Sequence, residues 1–284
     1  MHVISLISTK GGVGKTTIAA NLGGFFADAG LRVLLLDLDT QPTLSSYFTL
    51  AHRAAGGSYE LLALNERDPA KLVSRTAIHG LDIIVSNDEH RQLNTLLLHA
   101  ADGRLRLRNL LSVFKPHYDL VLIDTQGARS VLLEMALLAS DQAVSPVTPE
   151  ILAARELQRG TLQLVKEISP YRHLGIQMPP VLLLINRLPA VSANAKLVQK
   201  TLRLMFRGHP DVLVLKQDVP AIEAFPRAAT KGQPVHRTEH SRPSGRQTPA
   251  ALEIIRRIAI ELAPQWESQS TWVTGKGVSH DRKS

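Results

Sequence analysis

Thr9-Lys10-Gly11-Gly12-Val13-Gly14-Lys15-Thr16-Thr17 stands between an apolar run, His2 to Ser8, that predicts a strand and a segment, Lys15 to Ala29, whose apolar spacing predicts a helix. A glycine-rich turn in that context lets successive backbone N–H groups point into one hollow, where the helix N-terminus adds positive potential for phosphate oxygens. Lys15 is placed to reach the β- and γ-phosphates of a nucleotide, and the Thr16 hydroxyl to sit on Mg²⁺. The stretch from Lys10 to Thr17 is therefore expected to be a phosphate-binding loop, with Lys10, Gly11, Gly12, Val13, Gly14, Lys15, Thr16 and Thr17 around the phosphates.

Outward from this loop the chain alternates short apolar runs with helical patterns. Strands are expected at His2 to Ser8, Arg32 to Leu36, Asp82 to Val85, Asp119 to Ile123, Gln142 to Val147, Val181 to Ile185 and Val212 to Leu215. Helices are expected at Lys15 to Ala29, Arg104 to Phe114, Ser130 to Leu138, Glu150 to Ile168, Ala193 to Arg207 and Pro249 to Ala263. Fully apolar strands separated by helices predict an α/β fold, a doubly wound and mostly parallel sheet with helices on both faces. Ligands of such sheets bind at the carboxyl ends of the strands, where two acidic segments are delivered. One is Asp37-Leu38-Asp39-Thr40-Gln41-Pro42; the other is Asp124, after the apolar Leu120 to Ile123, in the pattern of a Walker B strand whose acid holds Mg²⁺ through water.

The Lys10-Gly11-Gly12-Val13-Gly14-Lys15-Thr16-Thr17 arrangement, with Thr9 where the general motif has glycine and a second lysine at Lys10, resembles the deviant P-loop of the ParA, Soj and MinD family of ATPases, closest to its short, Soj-like members. The resemblance covers roughly residues 1 to 263. It implies that ATP closes a sandwich homodimer in which Lys10 crosses the interface to the partner's phosphates, as an arginine finger does. It implies that Asp39 orients the attacking water beside Mg²⁺, with Asp37 in the Mg²⁺ and Lys15 network, although the family's D-x-D-P-Q has Thr40 here in place of proline. Thr125-Gln126-Gly127 replaces the usual Thr-Pro-Pro, and Gly127 gives that segment freedom to move. Asn186 sits where the family reads adenine, and Asp218, Val219 and Pro220 begin the loop that packs on the base, Pro220 replacing an expected arginine for which Arg227 or Lys231 is the candidate substitute.

Composition narrows the field. The 284 residues carry a net charge of +8 and no cysteine, which excludes disulfides and the cysteine-held cluster of the related nitrogenase iron protein. No run approaches the about 20 apolar residues of a membrane span, no basic leader is visible, and no MinD-like basic amphipathic helix ends the chain, so a cytoplasmic location without membrane attachment is expected. No helix-turn-helix is expected before the P-loop. Lys231 to Thr248 reads as a loop, His236 and His240 in it lack a third metal ligand, and 264 to 284 reads as a polar, flexible tail in which Trp266 and Trp272 are incidental. Lys196, Lys200, Arg203 and Arg207 share one face of their helix without an intervening acid. They are candidate contacts for DNA phosphates, alongside Arg227, Lys231 and the loop residues Arg237, Arg242 and Arg246.

The resulting expectation is a ParA-type ATPase, weak until stimulated by a ParB-like centromere-binding protein, that coats the nucleoid nonspecifically as an ATP dimer and partitions a chromosome, plasmid or mobile element. A positioning ATPase acting on a protein or membrane-associated cargo is the alternative. A metabolic enzyme with a related P-loop leaves Lys10 unexplained.

Overall fold

In the computed structural model, which describes residues 1–150 and 152–274, the apolar runs become the strands of a nine-stranded sheet. In chain order these are β1 (His2–Leu6), β2 (Val33–Asp37), β3 (Leu50–His52), β4 (Ser74–Thr76), β5 (Leu81–Ile84), β6 (Leu120–Asp124), β7 (Gln142–Val147), β8 (Val181–Ile185) and β9 (Val212–Val214). They lie in the order β3-β4-β5-β2-β6-β1-β7-β8-β9. All pairings from β5 to β9 are parallel, whereas β4 is antiparallel to both its neighbours. The α/β, mostly parallel expectation holds. Edge strand β3 and its neighbour β4 were not expected, because Leu50-Ala51-His52 and Ser74-Arg75-Thr76 are too short to show an apolar period.

Strand alternation explains the two layers. Val33 and Leu35 face a core with Phe25 and Phe26 of the P-loop helix (Lys15–Asp28) and Ile254, Ile255 and Ile258 of the helix Ala251–Leu262. Leu34 and Leu36 face the opposite core, with Leu107, Phe114, Leu132 and Met135. Both faces are covered, so β2, β6 and β8 are buried along their whole length. Among the described residues no helix is long and apolar enough to cross a membrane.

Three expectations are corrected. The helix from Glu150 to Ile168 is broken into Ala153–Leu157, a π-helical turn Gln158–Leu162 and Gln163–Ile168. The turn brings Gly160 against Thr9, with whose hydroxyl any Cβ at 160 would collide. The chain after 263 is not a free tail through 274: Pro264–Trp266 and Glu267–Thr271 are helical. Trp266 packs edge-on to Phe26 at 5.8 Å, and the Arg256 guanidinium donates to the carbonyls of Ser270 and Val273. Trp272 is exposed, and the rest of the expected tail, 275–284, lies outside the described residues.

The segment 231–248 is not a free basic loop. Val235–Thr238 is a helical turn that buries His236. Asp28 accepts from Arg237 Nε at 2.7 Å and Nη2 at 2.6 Å and meets His236 Nε2 at 2.7 Å. Arg246 and Arg227 both pair with buried Glu239. Burial pushes His236 below the ordinary imidazole value, although Asp28 opposes it. A histidine with a depressed folded pKa stabilises fully above its unfolded pKa of about 6.5 and loses that contribution as pH falls below it. The urea midpoint is therefore expected to fall between about pH 7.5 and 5.5. His236→Gln, which keeps a donor for Asp28, flattens that dependence; identical profiles for the two proteins exclude this histidine as the source.

Candidate functional site

β1 ends at Leu6, beside Asp124 at the carboxyl end of β6 and Val144 within β7, and hands the chain to the glycine-rich loop. Gly12 and Gly14 take positive φ, 74° and 96°, and Gly14 is the N-cap of the helix Lys15–Asp28. A side chain at Gly14 is excluded twice, by its left-handed backbone and by the Asn186 amide, which a Cβ there would strike. Gly127, after β6, approaches the loop so closely that a Cβ would lie 2.5 Å from Gly11 Cα. Close packing therefore calls for glycine at 127.

The electrostatics of the pocket are unbalanced. Asp37 and Asp124 are paired in register on β2 and β6, both fully buried. Burial, countered by its bonds to Ser45 and Asp39, pushes Asp37 up to about 6. Burial together with the Asp37 charge pushes Asp124 up to about 8. Lys15, 6% exposed, is pushed down by desolvation while Asp124 and Asp39 pull it up. Asp124 Oδ2 accepts from Thr16 Oγ1 at 2.6 Å, and its Oδ1 is buried with no hydrogen-bond partner.

That orphaned oxygen beside a hydroxyl, among crowded carboxylates, fits a divalent cation. Among the described residues no cluster of three His, Cys, Asp or Glu side chains could hold a metal alone. Mg²⁺ is suited to such a place, since it binds through one or two carboxylates and the substrate's phosphates.

The other expected residues fall as follows. Asp37 accepts from the Asp39 N–H, the Ser45 N–H and the Ser45 hydroxyl, so it folds the loop that carries Asp39. Asp39 accepts from the Gln41 N–H and lines the phosphate pocket with Lys15, Thr16 and Gly127. Asn186 spends its amide on the loop, donating to the Val13 carbonyl at 2.7 Å and accepting from the Arg187 N–H. Val219 and Pro220 line a cleft with Thr17 and Asn186, adjacent to the phosphate pocket. Asp218 does not line it; its carboxylate holds Arg203 at 2.6 Å.

Lys10 lies outside the phosphate pocket of its own chain and donates to Glu150 at 2.7 Å and Glu156 at 2.8 Å. The basic helix, Ala193–Met205, keeps Lys196 and Lys200 exposed, with Arg207 just beyond its end. Arg203 is withdrawn from that row by Asp218 and by the carbonyls of Leu215 and Lys216. Leu197 and Leu204 of the same helix are 64% and 52% exposed.

Two residues that motif reasoning passed over also line the phosphate pocket, Arg187 and Arg91. Arg187 donates to the Gly12 carbonyl at 2.8 Å; its place directly after Asn186 was the available signal. Arg91 lies in an aperiodic polar stretch that offers none.

Comparison with known proteins adds to this geometry. A family model described as an AAA domain matches residues 1–178. The sporulation initiation inhibitor protein Soj of Bacillus subtilis is 28% identical over 235 residues, 82% of this chain and 89% of that protein. The chromosome partitioning protein ParA of Myxococcus xanthus is 32% identical over 169 residues, 58% of this chain and 59% of that one. McdA of Cyanothece shares the fold with a TM-score of 0.73 at 22% identity, over 84% of this chain and 93% of the other.

Proposed function

The chain belongs to the ParA/Soj/MinD family of P-loop ATPases, and from that premise we propose that it is a partition ATPase whose ATP-bound homodimer binds DNA nonspecifically on the nucleoid. The observation that carries this reading is the unbalanced pocket, in which glycine-built amides, a desolvated Lys15 and an unpartnered Asp124 oxygen converge on one place.

In this reading Lys15 and the amides of residues 11–17 bind the phosphates of ATP, while Thr16 and Asp124 hold Mg²⁺ and Asp39 stands beside it. Mg²⁺, when bound, neutralises charge on the phosphates. Asp39, fixed by its turn and by Asp37 beneath it, orients the attacking water. Val219 and Pro220 pack on the base. Lys10 leaves Glu150 and Glu156 when two chains meet face to face and adds its charge to the partner's phosphates. Those exposed pairs are together worth on the order of 1 kcal/mol, so the release is well within what a dimer interface supplies. A ParB-like protein is the partner that stimulates an otherwise slow hydrolysis.

A second reading is the positioning of a protein cargo. The exposed Leu197 and Leu204 favour it, since phosphate contact makes no use of them.

Light scattering with ATP and Mg²⁺ tests the dimer. Asp39→Ala is expected to bind ATP and accumulate as a dimer, because the water loses its orienting carboxylate while Lys10 is kept. Lys10→Ala binds ATP and stays monomeric. If both variants show one oligomeric state, Lys10 does not act in trans.

A further inference from the structure

Among the described residues, three that are not glycine adopt a positive φ: Asn65, Arg91 and Arg187. Two of the three line the phosphate pocket. Such a backbone is strained for a residue with a Cβ, whereas glycine adopts it freely. Arg187 has a structural reason to be there, because its N–H and guanidinium fasten it to Asn186 and Gly12.

Arg91 has no such reason. Its guanidinium is exposed and makes no hydrogen bond or ion pair with any described residue. The turn beneath it is nevertheless built with care. Asp88, 7% exposed, gives its carboxylate oxygens to the N–H groups of Gln92 and Leu93 at 2.8 and 3.0 Å. Its carbonyl accepts the Arg91 N–H at 3.1 Å. A buried acid thus holds a strained turn at the pocket rim, and the side chain displayed there is a cation that contributes nothing to the fold.

Charge decides what that cation is for. With Lys10 held by Glu150 and Glu156, the basic side chains that line the phosphate pocket are Lys15, Arg187 and Arg91. Lys15 is buried, and Arg187 also lines the cleft of Val219 and Pro220, on the base side. Arg91 does not line that cleft and is confined to the phosphate pocket, whose lining includes Asp39, Gln41 and Gln126. A terminal phosphate arriving beside Asp39 meets a carboxylate in the pocket, and a guanidinium at the rim is the group that offsets that charge and can hold phosphate oxygens in bidentate geometry.

We propose that Arg91 is a substrate-contacting residue: the Asp88-clamped turn presents its guanidinium to the γ-phosphate of ATP, so that the single chain tells ATP from ADP before any partner supplies Lys10. This rests on the ATP-site reading given above.

The test is equilibrium binding of a non-hydrolysable ATP analogue and of ADP, each with Mg²⁺, to the full chain. Arg91→Ala is expected to weaken the ATP analogue about tenfold or more while ADP affinity stays within about twofold. Arg91→Lys recovers only part of the loss. Arg91→Gly removes the guanidinium and relieves the backbone strain, so it shows the same ATP-selective loss without loss of thermal stability. Equal weakening of both nucleotides, no weakening of either, or an Arg91→Gly variant that binds the analogue like wild type overturns the proposal. Wild-type chain that binds neither nucleotide overturns the ATP-site reading itself, which the Arg91 variants alone do not address.

Discussion

Lys15→Ala loses ATP binding by at least about a hundredfold, close to 3 kcal/mol of binding free energy. The expectation follows from the charge inventory of the pocket rather than from the motif alone. Asp39 lines the pocket where the phosphates go, and buried Asp124, beside Asp37 in register, bonds Thr16 at its wall. Lys15 is the buried cation among them, already stripped of water. In the absence of phosphates its desolvation is only partly offset, which is why its pKa is pushed down; phosphate oxygens supply the missing partner. Removing it leaves anionic phosphates without their buried cation in a poorly solvated place, where charge-assisted bonds are at their strongest. Binding of a fluorescent ATP analogue measures the loss. Lys15→Met, closer in volume, separates lost charge from lost packing and is expected to behave like the alanine variant. Affinity within about threefold of wild type in both variants would mean that the phosphates lie elsewhere.

What could be read from the sequence divides by the range of the interactions. The phosphate loop, the acid at the end of β6 and the parallel sheet were legible because each is local: glycines next to a lysine, four apolar residues ending in Asp124, strand followed by helix. What escaped is decided by partners far away in the chain. Arg203 belongs to a basic row by helical spacing, yet Asp218 in the next loop takes its charge. Arg237 and His236 look like loop residues until Asp28, over 200 residues earlier, bonds both of them. Glu150 and Glu156 gave no hint that they hold Lys10. Trp266 looked like tail because the apolar period stops at Leu262, whereas Trp266 packed on Phe26, buried Val273 and the Arg256 bonds to the Ser270 and Val273 carbonyls dock the next turns. Arg91 is illegible for another reason: its position depends on a left-handed turn, and nothing in the run from Ser86 to Gln92 signals one.

The same partner accounting reshapes the expected DNA result. With Arg203 spent on Asp218, each chain offers Lys196, Lys200 and Arg207 from the basic helix, and a pair of chains offers twice as many. If each meets a phosphate, log affinity falls with log salt at a slope near −5, and affinity drops roughly a thousandfold between 50 and 200 mM salt. Unrelated sequences bind with similar affinity, since these contacts read no bases. ATP is required because one chain alone supplies too few contacts. Lys196→Ala/Lys200→Ala flattens the slope by roughly 3 to 4 units, measured once ATP binding and dimerisation of the variant are shown to be intact. Arg203→Ala is the internal control: an arginine held by an acid and two carbonyls releases no counterion, so its slope matches wild type. A slope untouched by the double variant moves the DNA surface to Lys231 and Arg242, the basic residues of the 231–248 segment for which no ion pair is formed with a described residue. Absence of DNA binding by the wild-type ATP dimer even at low salt removes DNA coating altogether. The exposed Leu197 and Leu204 then become the more informative part of that helix, as the face that a protein cargo would cover.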